Sequence, residues 1–109
     1  MIPHVVAVGL ALATPTSQVG VASWYGKENR TSCTGKRLYH SKLEAAHKSI
    51  PLGTKVRVTS LSTKKSVVVT IVDRGPYTKK RILDLNVKAA NAIGIRKKGV
   101  DKVRLDWNS

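Results

Sequence analysis

The sequence predicts an all-β fold, a closed six-stranded barrel with one or two short helices. Three observations predict it. Val67-Val68-Val69-Thr70-Ile71-Val72 is a dense run of β-branched residues, and such side chains suit a pleated, packed surface. Lys55-Val56-Arg57-Val58-Thr59 alternates charged and β-branched residues, the period of a half-buried strand. The strand-like segments fall into two rough halves joined by long loops. That arrangement suits closure, which removes exposed edges and lets short strands share one core.

The elements follow in chain order. Residues 5 to 13 form an unbroken run of apolar and small residues, and Thr14-Pro15-Thr16-Ser17-Gln18 then turns polar. This is the pattern of the h-region and c-region of a secretory signal peptide, although Met1-Ile2-Pro3-His4 supplies no basic residue. The run is too short to span a bilayer as a mature helix. Residues 1–18 are therefore read as a leader and residues 19–109 as a single domain. Strands are expected at about 20–25, 44–48, 54–61, 65–73, 81–84 and 100–106. A helix is expected at about 87–93, with Asn86 as N-cap and Gly94 as C-terminal stop.

Composition narrows the partners. The chain has 109 residues, with 20 Lys and Arg against 6 Asp and Glu, a formal charge of +14. One domain of this length can close a core, and its surface should attract polyanions until salt screens the attraction. A specific nucleic-acid role is disfavoured, because no helix is basic along a groove-reading face and no aromatic-and-Gly RNA motif is present. The single cysteine, Cys33, cannot close an internal disulfide and lacks the companions of a zinc site. No transmembrane anchor is read, and no metal or organic cofactor is implied. The protein is expected to work as a monomer outside the cytoplasm, in the periplasm or at the wall.

The strongest local signal is the step from the 67–72 run into Asp73-Arg74-Gly75-Pro76. Gly75 and Pro76 end the strand in a turn. Asp73 thus sits at the mouth of a strand, where rigid backbone can hold a working carboxylate. The alternative is that Asp73 only hydrogen-bonds the turn or braces Arg74.

Several motifs occur in a fixed order. They are Gly20-Val21-Ala22-Ser23-Trp24-Tyr25-Gly26, then Ala45-Ala46-His47 with Ile50-Pro51-Leu52-Gly53-Thr54. Val67 to Pro76, Arg81 to Leu85, the helix through Ala89 and Ala90, and Gly99 to Leu105 follow. This ordered set resembles the rare lipoprotein A-like family of double-psi β-barrels, over roughly residues 19 to 106. The resemblance implies that fold and a lytic transglycosylase acting on peptidoglycan glycan strands, including strands without stem peptides. It implies cleavage of the MurNAc–GlcNAc β-1,4 bond with formation of 1,6-anhydroMurNAc. More distant relatives on the same barrel are expansins, which loosen walls without hydrolysis. A non-catalytic glycan-binding or wall-loosening module is therefore the competing reading.

A lytic transglycosylase needs one carboxyl group to serve as acid and then as base, because the substrate's own 6-hydroxyl is the nucleophile. Setting aside Glu28, Asp101 and Asp106 leaves Glu44, Asp73 and Asp84. The resemblance makes Asp73 the first choice for the acid/base and places His47 beside it, bonded to its carboxyl or to a sugar hydroxyl. Asp84 is read as a groove contact or a structural hydrogen bond, and Arg74 as a groove residue or a brace for Asp73. Tyr25 and Tyr77 can offer ring faces to a sugar, with either Tyr25 or Trp24 turned to the core. Catalytic members of the family usually carry Gly-Glu twelve and eleven residues before the histidine, and this chain has Gly35-Lys36 there. Lys36 is read as a contact to an anionic wall group, and the substitution keeps the non-catalytic alternative open.

Overall fold

The computed structural model describes residues 14–25 and 42–109. The apolar run at 5–13, Cys33 and Lys36 lie outside the described residues. Six strands are present: β1 Pro15–Trp24, β2 Glu44–His47, β3 Lys55–Ser60, β4 Ser66–Asp73, β5 Arg81–Leu85 and β6 Val100–Asn108. Among the described residues one helix, α1, spans Val87–Ile93 between β5 and β6. The strands close into a barrel in the order β1-β5-β2-β4-β3-β6.

The topology has an internal rhythm. β1 pairs with β5 in parallel, and β2 pairs with β4 in parallel, while the other four pairings are antiparallel. Each parallel pair carries a register shift, at Val21/Ala22 and at Ala45/Ala46. Such irregularities bend a strand and re-aim its side chains. The barrel is filled by alternate residues, including Val56 and Val58 of β3, Val69 and Ile71 of β4, Leu83 and Leu85 of β5, and Val103 and Leu105 of β6, all fully buried. The period-two reading of 55–59 thus holds residue by residue, whereas the 67–72 run, read as a buried strand, turns Val68 outward, 46% exposed.

Helix α1 begins and ends as its sequence dictates. The Asn86 side chain accepts the Ala89 amide at 3.1 Å, and Gly94 takes a left-handed conformation with φ 79°. Ala89, Ala90 and Ile93 are buried against the barrel. Asn86 also accepts the Glu44 amide and donates to the Lys42 carbonyl, so the cap ties the helix to the start of β2.

β1 departs from its expected boundary. It starts at Pro15, and Pro15 to Gln18, assigned to the leader, pair with Asn108 to Leu105 of β6. The reason lies in the partner. β6 runs on to Asn108, past the expected end at 106, and supplies a ladder for a segment whose own composition is polar. At the limit of this ladder Thr14 and Ser109 exchange both backbone hydrogen bonds, at 3.0 and 2.9 Å. Further along β1, Gly20 is fixed by close packing, because a Cβ there would lie 2.8 Å from the Ile82 side chain.

Candidate functional site

The strand registers build a row across the barrel wall. Ser23 of β1 pairs with Asp84 of β5, Asp84 pairs with Ala46 of β2, and Ala46 pairs with Asp73 of β4. Adjacent strands lie about 4.8 Å apart, so two carboxylates are held two strand spacings apart with one methyl group between them. Asp73 sits at the end of a long strand, and Asp84 sits on a strand locked between two neighbours. Neither position requires a loop to be ordered.

The two carboxylates are held differently. Asp84 accepts the Ser23 hydroxyl at 2.5 Å, and Arg81 lies 3.9 Å away while donating to the same hydroxyl at 2.6 Å. Its side chain stays 17% exposed. Asp73 is buried and accepts the amide of Arg74 at 2.8 Å, which curls its carboxylate back over the turn that follows β4. Asp73 therefore has part of the turn-forming duty left open by its sequence context. Ser23 and Arg81 were not singled out in the sequence. Both stand in the matching motif segments, but only cross-strand register shows that they meet Asp84.

His47 is placed at the end of β2 and is buried. Its Nδ1 accepts the amides of Ser49 and Ile50, both at 3.0 Å. That nitrogen therefore carries no proton, and Nε2–H donates to Gln18 Oε1 at 2.8 Å. Both ring nitrogens are taken, so the direct bond to the Asp73 carboxyl or to a sugar hydroxyl is replaced by bonds within the barrel. Burial, followed by the charges of Arg74 and Lys48, pushes the imidazole below its ordinary value and keeps it neutral. Trp107 lies beside it, with ring centroids 6.3 Å apart.

Arg74 links the two residues. Its guanidinium donates to the carbonyls of His47 at 3.2 Å and Ile50 at 2.7 Å, clamping the turn that follows β2. The Arg74 side chain thus braces the turn after β2, and the residue's backbone amide meets the Asp73 carboxylate. The neighbouring loop is pinned from both sides, by Lys48 Nζ on the Thr78 carbonyl at 2.9 Å and by Arg81 Nε on the Thr78 hydroxyl at 3.1 Å. From this loop Tyr77 projects into solvent, 83% exposed, with its ring edge over Gly75. Gly75 adopts φ +120°, a conformation that side-chain-bearing residues rarely take, and precedes a cis Pro76.

The first pair of aromatics is less open. Trp24 packs on the core, donates Nε1–H to the Arg96 carbonyl at 3.1 Å and lies under the Arg96 guanidinium, 5.8 Å from the ring centroid. Tyr25 is half-buried, and its hydroxyl is shielded from solvent. Of Tyr25 and Tyr77, it is Tyr77 that has the exposed ring.

A separate face carries charge. A cleft of about 390 Å³ is lined by Lys55, Arg57, Arg104, Asp106 and Trp107 among others. A second, of about 490 Å³, shares Lys55 and Val68 with it and adds Lys42, Glu44 and Lys88. Neither is lined by Asp73 or Asp84.

With this geometry in place, comparison with known proteins decides the family. The profile of a family described as "Lytic transglycolase", a double-psi β-barrel, matches residues 17–105. The chain belongs to that family. A Synechocystis protein named "Probable endolytic peptidoglycan transglycosylase RlpA" is 49% identical over 89 residues, covering 80% of this chain and 28% of its own length. The Yersinia pestis protein named "Endolytic peptidoglycan transglycosylase RlpA" is 42% identical over 93 residues, covering 84% of this chain and 25% of its own. The chain thus spans about a quarter of these relatives. The barrel fold recurs in the apo crystal structure of a Clavibacter michiganensis expansin, with TM-score 0.68 and 21% identity over 83% of this chain and 49% of that one. It recurs again in the Streptomyces papain inhibitor, with TM-score 0.67 and 16% identity over 84% and 94%.

Proposed function

We propose that this barrel cuts peptidoglycan glycan strands as an endolytic transglycosylase. The observation that carries the reading is the row in which Asp84 and Asp73 flank Ala46, within a family whose curated members bear that activity in their names.

Asp84 is the better-placed acid, because its side chain is partly open to solvent and its backbone is fixed by two neighbouring strands. Its protonated carboxyl delivers a proton to the glycosidic oxygen between MurNAc and GlcNAc as that bond breaks. The carboxylate left behind takes the proton of the MurNAc 6-hydroxyl, whose oxygen closes the 1,6-anhydro ring on the anomeric carbon. The proton lost in the first step is regained in the second, and no water enters. Asp73, across Ala46, adds negative charge beside the oxocarbenium-like centre. The exposed Tyr77 ring offers a platform for a neighbouring sugar.

The substrate is a glycan strand, including strands lacking stem peptides, met outside the cytoplasm by a monomeric barrel. No helix among the described residues is long and apolar enough to cross a membrane. The test is digestion of purified sacculi and of denuded strands, with anhydro products read by mass spectrometry. Release by wild type, with loss in Asp84→Asn and a smaller loss in Asp73→Asn, is the expected result. Equal release by wild type and Asp84→Asn would remove Asp84 from the chemistry.

A second reading is kept open by Lys36, at a position where the family resemblance implies a glutamate in most catalytic members. On that reading the same groove binds glycan without cutting it. Retention of sacculi without anhydro products, together with a gain of cutting in Lys36→Glu, would select it.

A further inference from the structure

We infer that His47 and Gln18 are positioning residues: Gln18 locks the His47 ring in one tautomer, and the ring shapes the turn that holds Arg74 beside Asp73. The inference rests on the transglycosylase reading for its activity readout, and on the hydrogen bonds alone for the rest.

Four contacts carry it. Gln18 Oε1 receives the proton of Nε2, which leaves Nδ1 as a bare acceptor. Nδ1 gathers the amides of Ser49 and Ile50, two consecutive donors in the turn after β2. The same turn presents the carbonyls of His47 and Ile50 side by side, and one guanidinium nitrogen of Arg74 takes both. Arg74 is thereby fixed one residue after Asp73, whose carboxylate accepts its amide. Ile50 anchors the turn in the core.

The arrangement is specific to the neutral ring. A proton on Nδ1 would face two amide donors and could accept neither. The surroundings oppose that proton. Gln18 of β1 and Trp107 of β6 face the ring without charge, and the charged groups around it are the cations Arg74 and Lys48. A proton donor for a glycosidic oxygen needs the opposite setting, with a proton to give and a nitrogen turned outward. His47 is 4% exposed. Gln18 does work here that its sequence position hid, in a segment read as a leader.

The test uses the full chain with denuded glycan strands as substrate, and ¹⁵N-labelled protein for imidazole NMR. The ring is expected as the Nε2–H tautomer at neutral pH. His47→Ala should lose activity by roughly a hundredfold, the scale of a misplaced site. His47→Asn should recover most of that loss, since its Oδ1 can accept the two amides as an Asx turn does. His47→Gln should not, because its amide oxygen reaches beyond them. Gln18→Glu should stabilise the imidazolium and move the acid limb of the pH–rate profile to higher pH.

The opposite pattern would overturn the inference. If His47 supplied the proton, His47→Asn would be as inactive as His47→Ala. Gln18→Glu would then carry the alkaline limb upward. An Nδ1–H tautomer in the NMR spectrum would overturn it as well. Should wild type release no anhydro product, the transglycosylase reading fails by itself. The tautomer, and the shift in acid melting on Gln18→Glu, then decide this inference without it.

Discussion

Asp84 and Asp101 are built from the same parts and put to different uses. Each sits on a barrel strand, each accepts a serine hydroxyl from a neighbouring segment, and each has a cation three residues earlier. For Asp84 the partners are Ser23 and Arg81; for Asp101 they are Ser60 and Lys98. Asp101 adds the Ser62 hydroxyl at 2.7 Å and the Lys102 amide at 2.9 Å, and its side chain is 5% exposed. Burial pushes its carboxyl up, but the four donors together outweigh burial and hold it at about 2. Asp84 has one direct hydrogen bond among the described residues and keeps an open side. A carboxylate saturated with donors is a staple, and one left partly unsaturated at the surface is available to a substrate.

The largest effect should come from breaking the open member. Asp84→Asn should lower anhydro-product release by roughly a hundred- to ten-thousand-fold, since an amide cannot exchange the proton. Urea unfolding should show a stability change within about 1 kcal/mol, as for a partly exposed polar site. If stability falls instead and release survives, the two carboxylates have been assigned the wrong way round.

Asp101→Asn should do the reverse. It disturbs a buried cluster in which Ser60, Ser62 and Lys98 all point at one carboxylate, and should cost about 2–4 kcal/mol in urea unfolding. Release per folded molecule should be retained.

The pH dependence sharpens the same contrast. A carboxyl held below its unfolded value of 3.8 binds fewer protons folded than unfolded. Its contribution is present above that value and lost as pH falls through about 2. Melting temperature should therefore drop over that window in wild type, and the drop should be smaller in Asp101→Asn. A window unchanged by Asp101→Asn would leave acid sensitivity to other groups, His47 among them. Neutral His47, pushed below its ordinary value, adds its own loss as pH falls below 6.5.

The smallest expected effect is on Ser23→Ala. Removing one hydroxyl frees Asp84 from its single direct bond and leaves Arg81 as its neighbour, so release should change by no more than about tenfold. A collapse of activity there would show that Ser23 takes part in the chemistry.

Much of the barrel could be read locally, and much of the site could not. The run at 55–59 declares its inward face because strand periodicity is a property of neighbouring residues, and the β-branched run at 67–72 declares a strand without declaring its inward face. Asn86 and Gly94 declare the helix for the same reason. The Asp-Arg-Gly-Pro step announced a carboxylate at a strand mouth, and Asp73 is there. What the chain could not declare is register. That Ala46 separates Asp84 from Asp73, or that Ser23 meets Asp84, depends on pairings between segments up to 61 residues apart. The same limit hid Gln18. Thr14 to Gln18 is polar by composition, and its strand exists because β6 extends to meet it. The motif drew attention to His47, but the ring's tautomer is set by a side chain 29 positions away.

The closing pair of Thr14 and Ser109 has a mechanical consequence. Because these residues exchange both backbone bonds, any polypeptide attached at either point leaves the barrel from one spot. Tension applied between the two would load the β1–β6 ladder one rung at a time, in the manner of a zipper, starting at Pro15 and Asn108. The row through Asp84 lies toward the far end of that ladder, where Ser23 pairs with Val100. A tethered barrel could therefore fray by several rungs under load before its working groove felt the force.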